Sequence, residues 1–227
     1  MIGDPVALRI RQAIERPDKT LLRRFRGAQT SFVADAQQGW NCMHHAIKPL
    51  KPSYRFVGPA VTARCGPRDL LAAMAMLDVV KPGDVLVIAT AEDDSGAVVG
   101  DHWATVAKQL GVVAVVTDGL VRDAAGIEKT GPVTFCRGVS PNAGYRNGPG
   151  EVNAAVSVGG VSVHPGDILV GDRDGVVVVP LADARSVAAR LDEVTRLEKE
   201  TEEKVQAGKV RRMWDPAEFE KRGIEYL

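Results

Sequence analysis

The sequence predicts a mixed α/β fold with a β-rich, antiparallel-leaning second half and a long C-terminal helix. Three observations predict it. The phrase Pro-Gly-Asp followed by an apolar run occurs twice, in "PGDVLVIA" from Pro82 and "PGDILVGD" from Pro165. Between the two, a helix, a strand and a second helix alternate, the order of a parallel unit whose strands need crossovers. Then "NAAVSVGGVSVHPGDILVGDRDGVVVVP" reads as strand after strand, broken by Gly-Gly, Pro-Gly and Asp-Gly turns.

The elements follow in order. Pro5 suits a first helical position, and Val6, Ile10 and Ile14 recur every four residues, so a short amphipathic helix is expected to end before Pro17. A second helix is expected at about 30 to 38. A glycine- and proline-rich stretch then leads into a strand, "FVGPAVTARC". "DLLAAMAMLDVV" consists almost wholly of helix formers and stops at "KPGD". Each Pro-Gly suits the central positions of a type II turn before a strand. A helix over 102 to 110, a strand over 112 to 117 and a helix from about 122 complete the middle. From 181 to about 207 the chain is a charged helix in which Val187, Leu191, Val194 and Leu197 trace one narrow apolar stripe. The stripe suits packing on its own domain and packing across a neighbouring subunit equally well. The tail from 208 carries Trp214, Phe219 and Tyr226, aromatics that are costly to leave in water and are expected to dock. We read one domain over 1–227, with its core at about 20–180 and the helix and tail packing at a subunit interface.

The bulk numbers exclude several classes. Lys+Arg and Asp+Glu are both 29, so the formal net charge is zero, and neither nucleic acid nor an anionic membrane is indicated. No uninterrupted apolar run reaches the ~18 residues of a membrane span, and the N-terminus mixes charge with apolar residues unlike a signal peptide. A cytoplasmic protein is expected. The three cysteines, Cys42, Cys65 and Cys136, are far apart and form no C-x-x-C, which favours reduced thiols. His44-His45 lack a partner at zinc-ligand spacing. The glycines of "DDSGAVVGD" form no nucleotide loop, so a methyltransferase reading lacks support.

One constellation stands out. Asp101 opens "HWATVAKQL", and Gly111 closes it, as cap and stop. The first amides, on His102 and Trp103, have no intrahelical partner and with the helix dipole suit a small carboxylate or phosphate. Asp101 cannot both cap those amides and yield them to a ligand. The strand "VVAVVT" ends at "DGLVRD", where ligands gather in open α/β sheets. Arg122 has the fork to hold a planar carboxylate or enolate. Asp123 offers one hard oxygen to Mg²⁺ or Mn²⁺, ions that keep several waters and take one or two protein carboxylates. An ordinary ion pair at a helix start is the plainer alternative.

Asp101, twenty intervening residues, then Arg122-Asp123 resembles the D-x20-R-D signature of class II pyruvate aldolases. That family includes 4-hydroxy-4-methyl-2-oxoglutarate and 4-carboxy-4-hydroxy-2-oxoadipate aldolases and the RraA-like proteins. "FVGPAVTARC", "PGDVLV" and "VGGVSVHPGDILVGDRDGVVVVP" resemble it too, so the likeness covers about residues 20 to 200. It implies a layered α/β sandwich with mixed sheets, similar to the swivelling phosphohistidine domain, assembled as a trimer or a dimer of trimers with sites between subunits. It also implies that Asp123 ligates the metal directly, Asp101 through water, and that Arg122 binds the keto acid. The amides of His102 and Trp103 would hold the pyruvate carboxylate, where many members have two leucine-like residues. A neighbouring subunit is implied to add Asp35 and either Glu198 or Glu200. The implied reaction is divalent-metal-dependent retro-aldol cleavage of a 4-hydroxy-2-oxo di- or tricarboxylic acid to pyruvate and a second keto compound, with oxaloacetate decarboxylation. Arg122 and Asp101 would be its catalytic residues, Asp101 holding the water that serves as base. The alternative is a non-catalytic RraA-like regulator that binds a ribonuclease or helicase.

Overall fold

The structure, a computed structural model, describes residues 6–210, 212–220 and 223–225. In chain order the strands and helices are β1 (Leu8–Ile10), α1 (Lys19–Phe25), α2 (Thr30–Asp35), β2 (Lys48–Pro49), β3 (Phe56–Arg64), α3 (Leu71–Ala75), β4 (Val85–Ala89), β5 (Ala97–Val99), α4 (Asp101–Gln109), β6 (Ala114–Thr117), β7 (Leu120–Val121), α5 (Ala124–Thr130), β8 (Val133–Cys136), β9 (Gly138–Val139), β10 (Gly150–Val152), β11 (Val156–Val158), β12 (Val161–Val163), β13 (Ile168–Asp172), β14 (Gly175–Val179) and α6 (Ala184–Gln206). The fold is mixed α/β with several sheets and a long C-terminal helix, as the sequence predicts. It forms two compact units, one running to Leu191 and one from Asp192.

The centre of the first unit is a parallel run, β3-β4-β6-β8, joined by α3, α4 and α5 as crossovers. Strands buried on both faces read as unbroken apolar runs. Here Leu86, Ile88 and Val115 face one core with Ala72, Ala104, Ala107 and Ile127 of the helices. Their neighbours Val85, Val87, Ala114 and Val116 face another core, with Val158, Val163, Leu169 and Val178 of the late strands. Helices therefore cover one side of the sheet and β-hairpins the other. β11-β12 and β13-β14 are antiparallel, and β13 adds to β3, so the second half is antiparallel as its turn residues predict.

Both Pro-Gly-Asp repeats build one device. Gly83 and Gly166 take φ of 99° and 92°, a region that favours glycine. The next aspartate then closes the turn: Asp84 Oδ2 accepts from the Lys81 amide at 2.7 Å, and Asp167 Oδ2 from the His164 amide at 2.7 Å. Each turn launches a buried strand.

The expected N-terminal helix is absent over the described residues 6–16. Residues 8–10 are instead a strand beside β10, with Leu8, Arg9 and Ile10 opposite Gly150, Glu151 and Val152. A lone helix of about three turns is marginal in water, whereas the free edge of β10 offers a ready ladder. Pro5 and Tyr226 lie outside the described residues. The helix read over 69 to 80 is shorter at both ends, spanning Leu71–Ala75 and continuing as a tight 3₁₀ turn over Met76–Asp78.

In α6, Val187 and Leu191 are buried as the stripe requires, but Leu197 is 47% exposed. The second unit holds the end of α6, where Arg196 bridges Glu193 and Glu200. It also holds Trp214 and Phe219, whose rings meet edge to face at 5.8 Å. Among the described residues, no helix is long and apolar enough to cross a membrane.

Candidate active site

Past their carboxyl ends, β4, β6 and β8 each lead into a short strand of a second parallel sheet, β5-β7-β9. The chain leaves β5 into α4 and β7 into α5. The two helix starts therefore stand side by side at the ends of parallel strands, where α/β sheets collect ligands. A cleft of about 420 Å³ opens there. Asp101, His102, Trp103, Arg122 and Asp123 all line it, so residues separated by about twenty positions in sequence meet in one place.

Each is positioned by identifiable neighbours. The Arg122 amide donates to the Val99 carbonyl at 3.0 Å, which ties the end of β7 to β5. Arg122 Nε lies 3.4 Å from Asp123 Oδ2, and both side chains are about half exposed, at 44% and 47%. An exposed pair of this kind contributes little to stability. Asp123 stands at the N-cap of α5, yet its carboxylate makes no capping bond and its backbone is left-handed, φ 54° and ψ 41°. A capping aspartate would gain a bond in extended backbone. Asp123 forgoes the bond and accepts strain, a combination that clusters at functional sites.

Two glycines make room for the carboxylates. A Cβ on Gly100 would fall 2.9 Å from Asp123 Oδ2 and 3.1 Å from Arg122 Nε. A Cβ on Gly126, in the first turn of α5, would fall 2.6 Å from Asp101 Oδ2. The cleft thus has two side-chain-free cradles, each filled by a carboxylate. A pair of carboxylates so held fits a hard, hydrated divalent ion, which takes one or two of them. Among the described residues no group of three or more His, Cys, Asp or Glu gathers, so the described residues of one chain offer that ion no dedicated cage.

Asp101 is the first residue of α4 rather than its cap, which is Gly100. Its Oδ1 accepts from the His102 amide at 2.7 Å. An anion at the helix start must displace that bond, as the sequence argument required. Trp103 presents its amide in the first turn, where helix geometry supplies no partner. Its indole Nε1 donates to the Ala73 carbonyl at 2.9 Å, which ties α4 to α3 and keeps the ring in the wall.

Other expected roles resolve differently. Gly119 lies at the bend between β6 and β7 and permits a close approach, since a Cβ there would sit 2.8 Å from Thr90 Oγ1. Asp118 Oδ1 accepts from the Thr90 amide at 2.7 Å, and this staple joins the ends of β4 and β6. Asp172, beside the Asp-Gly turn, accepts from Thr30 N at 2.9 Å and Thr30 Oγ1 at 2.7 Å, anchoring α2. Asp35 ends α2 and does not line the cleft. Glu198 and Glu200 lie on α6 within the second unit. The sequence reading missed Gly126 and Arg146. A glycine inside the helical stretch "AAGIEK" was the available signal for the first; loop composition hid the second.

Comparison with known proteins assigns the chain to a family. The RraA-like family model, described as Aldolase/RraA, matches residues 30–178. A protein of Halalkalibacterium halodurans named "Putative 4-hydroxy-4-methyl-2-oxoglutarate aldolase" is 37% identical over 166 residues, 73% of this chain and 79% of that one. A solved structure of an uncharacterized protein from Pseudomonas syringae pv. tomato superposes with a TM-score of 0.76 at 25% identity, covering 87% of this chain and 97% of the other. That of Streptomyces coelicolor RraAS2, described as an unusual member of the RNase ES inhibitor RraA family, gives 0.73 at 27% identity, covering 83% and 100%. The D-x20-R-D residues that meet in the cleft lie within the matched span, and the chain belongs to the RraA-like (Aldolase/RraA) family.

Proposed function

We propose that the protein is a carbon–carbon lyase that cleaves a 4-hydroxy-2-oxo acid to pyruvate and a second keto compound, and that it decarboxylates oxaloacetate. The convergence of Arg122, Asp123 and Asp101 with the first amides of α4 in one cleft carries this reading. The aldolase name of the H. halodurans relative supports it.

In this reading the C1 carboxylate of the pyruvate half lies on the amides of Trp103 and His102, the latter released when Asp101 Oδ1 turns away. Arg122 faces the 2-keto oxygen. Cleavage breaks the C3–C4 bond. The electron pair moves toward the 2-keto oxygen, the 4-hydroxyl loses its proton, and C4 becomes a carbonyl. Arg122 stabilises the enolate oxygen with a charge already in place, the kind of donor whose loss costs about 10²- to 10³-fold in rate. Asp101 holds the water that takes the hydroxyl proton. Protonation of the enolate at C3 then yields pyruvate. Asp123, with Asp101 beside it, would hold Mg²⁺ or Mn²⁺, which supplies Lewis-acid stabilisation of the enolate charge. We further propose that a second copy of this chain, in a trimer or dimer of trimers, contributes Asp35 and either Glu198 or Glu200.

The test is pyruvate release with Mg²⁺ by Arg122→Ala and Asp123→Ala. Both should lose on the order of 10²-fold or more; full activity in either removes that residue from the site. EDTA should abolish turnover and added Mg²⁺ or Mn²⁺ restore it, and indifference to the chelator removes the ion. The likeness to RraAS2 favours a second reading, a regulator acting through its surface with an idle cleft. Capture of a ribonuclease or helicase by a wild-type protein inert on oxaloacetate would select it.

A further inference from the structure

The cleft holds a second arginine. Arg146 lines it together with Arg122, from the irregular segment between β9 and β10. Unlike a surface loop held only at its ends, this segment is pinned on both sides of Arg146. The Tyr145 amide donates to the Arg68 carbonyl at 2.7 Å, and the Leu70 amide donates to the Tyr145 carbonyl at 2.7 Å. The Arg68 guanidinium stacks over the Tyr145 ring at 4.9 Å. On the other side, Asp69 Oδ2 accepts from the Asn147 amide at 2.7 Å and the Gly148 amide at 2.9 Å, while Oδ1 accepts from the Leu71 amide at 2.8 Å. Asp69 is only 5% exposed, so these are shielded, charge-assisted bonds, about twice as strong as neutral ones.

The backbone is therefore fixed while the side chain is uncommitted. Among the described residues the Arg146 side chain makes no hydrogen bond or ion pair, and it is exposed in the cleft. The other cleft charges are engaged, Arg122 with Asp123 and Asp101 with the His102 amide. Apolar side chains stand in the same cleft, and Met74 and Val106 are 38% and 44% exposed there. Such a site offers a fixed fork for one more anion and an apolar surface for the carbons that link it to the first.

Resting on the aldolase reading, we propose that Arg146 receives the distal carboxylate of the substrate and makes the enzyme selective for 2-oxo dicarboxylates over 2-oxo monocarboxylates of equal length. If a divalent ion balances Asp101 and Asp123, the two arginines leave a doubly positive cleft, which matches a dianion. Arg146 is then a specificity residue, and Asp69 is the residue that positions it.

The test compares wild type with Arg146→Ala, Arg146→Lys and Asp69→Asn, all in Mg²⁺. Calorimetric titration uses 2-oxoglutarate and 2-oxopentanoate, which differ at the distal carboxylate and are not cleaved. Pyruvate release uses 4-hydroxy-4-methyl-2-oxoglutarate and 4-hydroxy-2-oxopentanoate. Wild type should prefer both dicarboxylates. Arg146→Ala should weaken 2-oxoglutarate by roughly 10- to 100-fold, as loss of a charged hydrogen-bond pair does, and leave 2-oxopentanoate within about twofold. Arg146→Lys should recover part of the preference, because lysine keeps the charge but not the fork. Asp69→Asn should erode the same preference, mainly through KM. Equal losses on both acids, or no preference in wild type, would overturn the assignment. Selective loss of 2-oxoglutarate binding in a protein that releases no pyruvate would keep Arg146 and discard the aldolase reading.

Discussion

Gly126 and Asp101 share one volume: a Cβ on the glycine would lie 2.6 Å from both Cβ and Oδ2 of the aspartate. The two belong to neighbouring helices, and the absence of one side chain permits the position of the other. Gly126→Ala therefore sets two effects against each other. A glycine inside a helix costs about 1 kcal/mol relative to alanine, so the substitution alone should stabilise α5. The clash with Asp101 acts the other way. We expect no gain in Tm and a fall in pyruvate release on the order of 10²-fold, the usual effect of misplacing a catalytic group by about 1 Å. A variant that is both more stable and fully active would show that the contact is idle.

Asp123→Gly separates strain from chemistry. The left-handed backbone of Asp123 costs roughly 1–2 kcal/mol for a residue with a Cβ, and glycine removes that cost while adding chain entropy to the unfolded state. We expect a Tm within a few degrees of wild type and near-complete loss of pyruvate release. Asp123→Ala, which keeps the Cβ and loses the short polar side chain that tolerates this region, should melt lower. Retained turnover in Asp123→Gly would refute its place in the site.

Asp172 sets an acid limit. Burial alone would raise its carboxyl, but bonds from Thr30 N, Thr30 Oγ1 and the Asp174 amide, with Arg55 nearby, outweigh burial and hold it below the ordinary carboxylate value. A carboxyl lowered on folding adds stability that is complete above its unfolded pKa of about 3.9 and is lost as pH falls through the folded value. Asp172→Asn should thus destabilise the protein at pH 7, and the gap to wild type should shrink below about pH 4. Urea midpoints over that range are the measurement; a gap independent of pH would contradict the account.

The thiols should separate by burial. Burial pushes Cys65 up to about 12 and Cys136 to about 11, so neither forms thiolate near neutrality. Cys42 is exposed, its thiol raised by partial burial and by Asp35. A thiol-reactive dye at pH 8 should label one cysteine in the native protein and three after denaturation. Rapid native labelling of Cys65 or Cys136 would mean that the core opens far more readily than its packing implies.

The sequence by itself determined the strand runs, the two Pro-Gly-Asp turns and the chemistry of the D-x20-R-D residues. These depend on local rules: apolar runs between turns, positive φ at glycine, and the functional groups that each side chain carries. It misread residues 6 to 16, because a four-residue apolar spacing cannot register that an open edge at β10 is waiting for a strand. It could not show that Gly119 also leaves space for Thr90, which follows another strand. Only the tertiary structure decided which glycines cradle carboxylates, that Asp123 forgoes its cap, and that Arg146 enters the cleft. Each of these is a contact between segments far apart in sequence, set by the packing of α4, α5 and the segment held by Asp69. Local propensity carries no term for such contacts; they exist only once the sheet has brought its strand ends together.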